Sequence, residues 1–287
     1  MSNNITKTRQ SSIELLRIIS MFLVVMFHAN YSSLGNPTAS ELASNPLTTG
    51  TRIFFESAVY FCVNLFVLIS GWFGIRVKRK SLTAFLFQWL FFAILLLACY
   101  PWLDSSSRPS FPKLFLDIIS MNRLWFVPAY LGLYILTPVL NTFIERSSEL
   151  QFRKVLIAFF SFEFIWGWLL GGATDIFMGG YSPLPFIGLY LLARYIKLYP
   201  PPPIIQYSEI HVIAAVLLVV LPYITGIIIF YVLGVTAWAY FSSRQLSYLG
   251  PHVVFCALFI LTAISRLHFT NRFINYIAAS VFGVYLF

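Results

Sequence analysis

Apolar runs recur along this chain, each separated from the next by a short polar or basic stretch, and a run of about 20 residues is what a helix needs to cross a bilayer. They lie near Ile13 to Tyr31, Ile53 to Phe73, Leu82 to Trp102, Leu124 to Ile144, Phe152 to Leu170, Pro183 to Leu198, Ile210 to Tyr231 and Tyr248 to Ser265. The pattern predicts an all-α fold, a polytopic transmembrane helix bundle with eight full spans. A ninth run begins near Ile274 with only fourteen residues before Phe287, an incomplete span. Residues 1–12 read as an N-terminal cytoplasmic segment. Residues 13–287 read as one integral-membrane domain, shortened at its C-terminal end, since no internal repeat or low-complexity boundary divides them. Ser32 to Arg52 and Leu103 to Arg123 are polar and turn-forming, and Pro200 to Pro203 predict a stiff connector. The run from Ile210 continues apolar to Tyr240, past Pro222, Gly226 and Gly234, which predicts a kink, a tilt or a terminal interfacial segment.

Composition strengthens the membrane reading. The chain is 59% hydrophobic, 18% aromatic and only 10% charged, with a mean hydropathy of +0.81, well outside the range of soluble domains. The net charge of +9 raises nucleic acid as a partner, but the cations sit in short clusters between apolar runs, where they set orientation instead. Lys7, Arg9, Arg76, Lys78, Arg79, Lys80, Arg146, Arg153, Lys154, Arg194, Lys197, Arg266 and Arg272 fall on one side of the predicted bundle. Arg52, Arg108, Lys113, Arg123 and Arg244 fall on the other. The excess places the N-terminus in the cytoplasm and the protein in the cell membrane as a multi-pass chain. Lys7 and Arg9 ahead of an apolar core resemble a signal peptide, but Glu14 and Arg17 inside it indicate a retained first helix.

Those charges make the first run the most informative. Arg17 and His28 are eleven steps apart, so on an α-helix they lie about 16 Å apart along the axis and within ~20° of one face. Glu14 falls about 40° to the other side. An acid, a base and an imidazole thus line one stripe of an otherwise apolar helix, and ionisable groups in a span propose a functional site. His28 suits proton exchange near neutral pH; an interhelical hydrogen bond is the plainer alternative. Arg76, Lys78, Arg79 and Lys80 form a cluster fit either to grip phosphates or to stop transfer and touch anionic membrane lipid. Trp125, Tyr130 and Tyr134 could line an acceptor cavity, Tyr130 and Tyr134 sharing a helix face at i and i+4; an aromatic belt suits Trp125 equally. Glu163 is an isolated carboxyl mid-run, while Asp175, His211, His252 and His268 lie at span ends or in loops and read as solvated or interfacial. Cys62, Cys99 and Cys256 lie within apolar runs without metal or disulfide spacing. No GxxxxGK[ST] loop is present.

Four of these segments together resemble the integral-membrane acyltransferase family 3. They are SIELLRIISMFLVVMFHA with its arginine and histidine, the ISG turn with the basic tail carrying Arg76 and Arg79, WFVPAYLGLYILTPVL, and FIGLYLLARYIK. The resemblance runs from about Ser12 to the end. It implies about ten helices, His28 as the catalytic histidine with Arg17 supporting it, and Arg76 and Arg79 beside the donor; Glu14, on the same stripe of the helix, is a supporting residue by its position. It also implies an O-acyltransferase taking an acyl group, foremost acetyl, from acetyl-CoA as a donor substrate, with no permanently bound cofactor and no metal. The acceptor would be a surface glycan or a lipid-linked sugar. The rival class is a polysaccharide exporter without covalent chemistry, which the lack of paired broken helices disfavours; a shortened, inactive acyltransferase is the other alternative.

Overall fold

The computed structural model describes residues 10–103, 116, 124–171, 176–200 and 208–286, and among these every regular element is helical. In chain order they are α1 (Ser11–Leu34), α2 (Ala39–Ser44), α3 (Pro46–Val59), α4 (Cys62–Phe73), α5 (Arg79–Leu103), α6 (Phe126–Arg146), α7 (Glu149–Phe162), α8 (Pro183–Leu198), α9 (Ser208–Leu233), α10 (Val235–Gln245), α11 (Pro251–Ser265), α12 (Arg272–Ala278) and α13 (Val281–Leu286). Among the described residues, four stretches are long and apolar enough to cross a membrane: Ser11–Tyr31, Pro46–Phe73, Phe126–Arg146 and Ser208–Leu233. The remaining predicted runs are also helical, with differences. The second run is two helices broken at Tyr60–Phe61, the fifth continues from α7 into a π-helix at Glu163–Leu170, and the incomplete ninth is the pair α12 and α13. The long run from Ile210 divides at Gly234, whose φ of +85° lets α9 end and α10 start as a separate helix.

Helix α1 sits centrally, packed on α3, α4, α11, α12 and α13. Its buried face, Ile13, Leu16, Met21 and Val24, joins the main core. Both ends are tied down. At the start the Ser11 backbone N–H donates to the Phe269 carbonyl (3.2 Å), the Ser11 hydroxyl accepts from the Asn271 N–H (2.7 Å), and the Gln10 amide donates to the Ser265 carbonyl (2.6 Å). At the other end Gly35, at φ +66°, stops the helix, and the Arg52 guanidinium donates to the carbonyls of Leu34 and Gly35 at 3.0 Å each. A cation on the last carbonyls meets both their unpaired lone pairs and the negative helix end.

The segment predicted as a polar loop, Ser32 to Arg52, is largely helical. Thr38 and Glu41 form a reciprocal capping box that starts α2, and Pro46 opens α3. Arg52 also donates to Glu41 (3.2 Å). Most of the second predicted loop, residues 104–123, lies outside the described residues, as do Asp175 and the prolines at 201–203.

Helices α4 and α8 cross closely at Gly71, where a Cβ would stand 2.7 Å from the Tyr190 carbonyl oxygen, the small-residue contact by which apolar helices approach. Of the histidines read as solvated or interfacial, His211 is buried and His252 is half-buried. His211 is 3% exposed, its Nδ1 2.5 Å from the Thr262 hydroxyl between α9 and α11, and His252 donates through Nε2 to the Gln245 carbonyl at 2.8 Å. The packing of α11 against α9 encloses the first, a tertiary effect that local sequence does not announce. His268 is exposed, as expected.

Candidate functional site

Two cavities open along one stripe of α1. The first, about 590 Å³, is lined by His28 with Phe27 and Tyr31 of α1, Ile53 of α3, Tyr60 just beyond it, and Asn36 and Pro37. Trp125, Tyr181, Leu246 and Tyr248 add to its wall, together with Trp238, Ser242, Ser243 and Gln245 of α10. The second, about 580 Å³, is lined by Arg17, Met21 and Val24 of α1, Val63, Phe66 and Ser70 of α4, and Ser81, Ala84, Phe85 and Gln88 of α5. Phe126 and Tyr130 of α6 and Ala278, Ala279 and Val281 complete it. A thin wall separates them, because near neighbours line opposite sides: Val24 and Phe27, Tyr60 and Val63, Trp125 and Phe126.

At the first cavity the backbone fixes the imidazole. His28 Nδ1 lies 2.8 Å from the Val24 carbonyl oxygen, and since a carbonyl only accepts, Nδ1 carries the proton. In the neutral ring this tautomer leaves the lone pair on Nε2, the atom a general base would use. Around it the aromatic rings lock one another. Tyr60 stacks on Tyr248 at 4.6 Å, Trp125 contacts Tyr181 at 4.4 Å and Tyr248 at 5.4 Å, and Phe27 meets Tyr60 edge-on at 5.3 Å. The buried Asn64 amide donates to the Tyr248 carbonyl (2.9 Å), holding that ring's backbone against α4.

At the second cavity Arg17 donates through Nη1 to Glu14 Oε2 at 2.7 Å; the Glu14 side chain is 6% exposed and that of Arg17 28%. Glu14 therefore does not reach the cavity itself. It sits one turn back and steers the guanidinium that does. Across the cavity Tyr130 donates to the Ser70 hydroxyl (3.2 Å), which donates onward to the Phe66 carbonyl (3.0 Å).

The structure divides the aromatic trio expected to line one acceptor cavity. Trp125 faces the first cavity with His28, and Tyr130 faces the second with Arg17. Tyr134 lines neither: its hydroxyl accepts from the Lys78 N–H (3.0 Å) and donates to the Lys78 carbonyl (3.1 Å). It belongs to a clamp on the basic loop. Tyr190 accepts from the Ile75 N–H (3.2 Å) and donates to Asn141 (2.7 Å), whose amide donates to the Ile75 carbonyl (2.9 Å). Gly74, at φ +76°, turns the chain beneath the Arg194 guanidinium. Arg76 and Arg79 are exposed on this clamped loop and the first turn of α5, outside the lining of either cavity.

Glu56, not singled out in the sequence, is 1% exposed on α3, and its Oε1 accepts from the Asn30 amide of α1 at 3.0 Å. Its signal was available, a carboxyl inside the apolar run IFFESAVYF. Tyr60, Tyr181, Tyr248 and Gln245 carried no such local mark. Glu163 is likewise 1% exposed, in the π-helix. Among the described residues, no group of three or more His, Cys, Asp or Glu side chains is placed to hold a metal ion.

A family model described as an acyltransferase domain matches residues 10–287. No curated protein and no solved structure matches the chain.

Proposed function

This chain belongs to acyltransferase family 3, a family of membrane acyltransferases, and from that premise we propose that it transfers an acyl group, foremost acetyl, from acyl-CoA to a hydroxyl of a surface polysaccharide or its lipid-linked precursor. The observation that carries this reading is the pair of cavities on α1, one presenting an imidazole with a free Nε2 and the other a guanidinium, with only a thin aromatic wall between them. The donor enters the Arg17 cavity, its phosphates lie toward Arg76 and Arg79, and its acyl end passes through the thin wall into the His28 cavity as the side chains there part. The acceptor hydroxyl occupies the His28 cavity. Nε2 takes the hydroxyl proton, the oxygen attacks the thioester carbonyl, the C–S bond breaks, and the imidazolium returns the proton to the departing thiolate. Arg17 holds the donor or offsets charge developing in the transition state.

The chain is read as an eight-span protein of the cytoplasmic membrane, with its N-terminus and the Arg17 cavity on the cytoplasmic side and His28 toward the outside. The test uses membranes carrying the wild type or His28→Ala, incubated with acetyl-CoA labelled in its acetyl group. Label on glycan with the wild type and none with the variant supports acyl transfer; equal labelling of both overturns the role of His28. Export of unlabelled glycan by both would favour a transporter.

A further inference from the structure

The His28 cavity contains a buried hydrogen-bond donor with nothing to bond. Gln245, the last residue of α10, is 3% exposed and lines the cavity, and its Nε2 has no hydrogen-bond partner. Buried polar groups are nearly always paired, so an unpaired one calls for an explanation. Packing does not supply it. The glutamine amide lies against Gly226 of α9, its oxygen 3.1 Å from where a Cβ would stand, a position that leucine or methionine would fill without desolvating an amide. Nor does Gln245 cap its helix, since the hydrogen bond it makes there is through its backbone carbonyl to His252. The side-chain donor, packed against Gly226, is left over for a group in the cavity toward which the amide can turn.

The rest of the lining says what kind of group that is. Gln245 shares a helix face with Ser242 and Trp238, three and seven residues earlier, and all three line the cavity. The hydroxyls of Ser242 and Ser243 donate back to Ala239 and Tyr240 of their own helix (3.1 and 2.7 Å), so toward the cavity they can only accept. Among the described lining residues there is no Asp, Glu, Lys or Arg. Apart from the His28 imidazole, which serves as a base only while neutral, a phosphate, a carboxylate or an ammonium finds no counter-ion among the described lining residues, and a charge in such a setting is costly. A neutral ring with several hydroxyls finds a donor in Gln245, acceptors in the two serines, and flat apolar surface in Trp125 and Trp238 for its C–H faces.

We propose that Gln245 is a specificity-determining residue that receives a neutral sugar ring, and that α10 is the wall by which this cavity selects uncharged over acidic sugars. The proposal rests on the acyl-transfer reading for the identity of the acceptor site, but it predicts binding that can be read without turnover. The probes are octyl β-D-glucopyranoside and its acidic counterpart, octyl β-D-glucopyranosiduronate, each titrated against the full chain in lipid nanodiscs and followed by quenching of tryptophan fluorescence. The wild type should bind the neutral glycoside and disfavour the acidic one. Gln245→Leu, which keeps the volume and removes the amide, should weaken the neutral glycoside about tenfold and leave CoA binding unchanged. Should Gln245→Leu fail to fold, judged by its thermal transition, the isosteric Gln245→Glu is the substitute and should weaken the neutral ring likewise. Equal binding of both glycosides by the wild type, no binding of the neutral one, or unchanged affinity in the folded variant would each overturn the proposal. Gln245-dependent binding without acetyl transfer would leave this inference standing and sink the acyl-transfer reading; transfer that is indifferent to Gln245 would do the reverse.

Discussion

The two cavities lie on one helix face and are nearly equal in volume, about 590 and 580 Å³, yet their chemistry is opposite. The His28 cavity is uncharged apart from its imidazole, rimmed by aromatic rings that brace one another, and supplied with hydroxyls and an amide. The Arg17 cavity is mostly aliphatic and aromatic, with one cation held by a buried carboxylate. A site for a neutral hydroxylated ring and a site for the apolar arm of an anionic donor would be built in these two ways. The comparison also explains why the charged groups of α1 sit at its two ends. A single chamber containing both would put the guanidinium beside the imidazole and disfavour the protonated imidazole that acyl transfer must form.

The largest effect should come from His28, the proposed base. His28→Ala removes the base while leaving the aromatic wall in place, and transfer should fall by ~10²–10⁴-fold with CoA affinity unchanged. Equal loss of CoA binding would mean the two cavities are not separate sites. Next is Arg17→Met, which strips Glu14 of its cation. Breaking a well-buried ion pair costs ~3–5 kcal/mol, but the Arg17 side chain is 28% exposed, so screening brings the expected loss to about 1–2 kcal/mol. The double variant Glu14→Gln/Arg17→Met should recover that stability and still show a KM for acyl-CoA raised about tenfold, with the acceptor KM unmoved. A raised acceptor KM instead would break the division of labour between the cavities.

A smaller change probes the donor end alone. Tyr134→Phe removes both hydrogen bonds to the Lys78 backbone and lets the loop bearing Arg76 and Arg79 loosen at one anchor, while the Tyr190–Asn141 clamp on Ile75 remains. The KM for acyl-CoA should rise about threefold to fivefold, and kcat should hold. If kcat falls and KM does not, Tyr134 acts on the bundle and not through the basic loop.

Much of α1 was legible because its information is local. The helical period places Arg17 and His28 on one stripe whatever surrounds them, and the structure puts each in a cavity. Tyr130 and Tyr134 also share a helix face as their spacing requires, but where each hydroxyl goes depends on Ser70 and on the loop at Lys78, which arrive from another part of the chain. The same holds for the His28 cavity. Tyr60, Tyr181, Gln245 and Tyr248 meet only after α3, α8, α10 and α11 have packed, and none of them carries a spacing that foretells it. Glu56 is different, since a carboxyl in an apolar run was visible and its partner Asn30 was not.

The segment between α1 and α3 gives the smallest and most local prediction. Its Thr38-x-x-Glu41 signature is a capping box in the sequence, and the composition alone, rich in Ser, Thr, Asn and Pro, points to a loop instead. The structure follows the signature: the Thr38 hydroxyl accepts from the Glu41 N–H at 3.3 Å and Glu41 accepts from the Thr38 N–H at 2.8 Å. These Thr38 bonds, backbone first, and then Arg52 hold the Glu41 carboxyl below its ordinary value. A carboxyl depressed on folding adds stability that is present above its unfolded pKa and is lost as pH falls through the folded one. Amide protection in Thr38–Ser44 should therefore be steady at neutral pH and decline on acidification below about pH 4, with Glu41→Gln already low and flat across that range. Because Arg52 also donates to the carbonyls that end α1, this acid-dependent fraying should extend to Leu34 and Gly35 and stop before His28; loss of protection reaching Val24 would show that the His28 cavity depends on this cap.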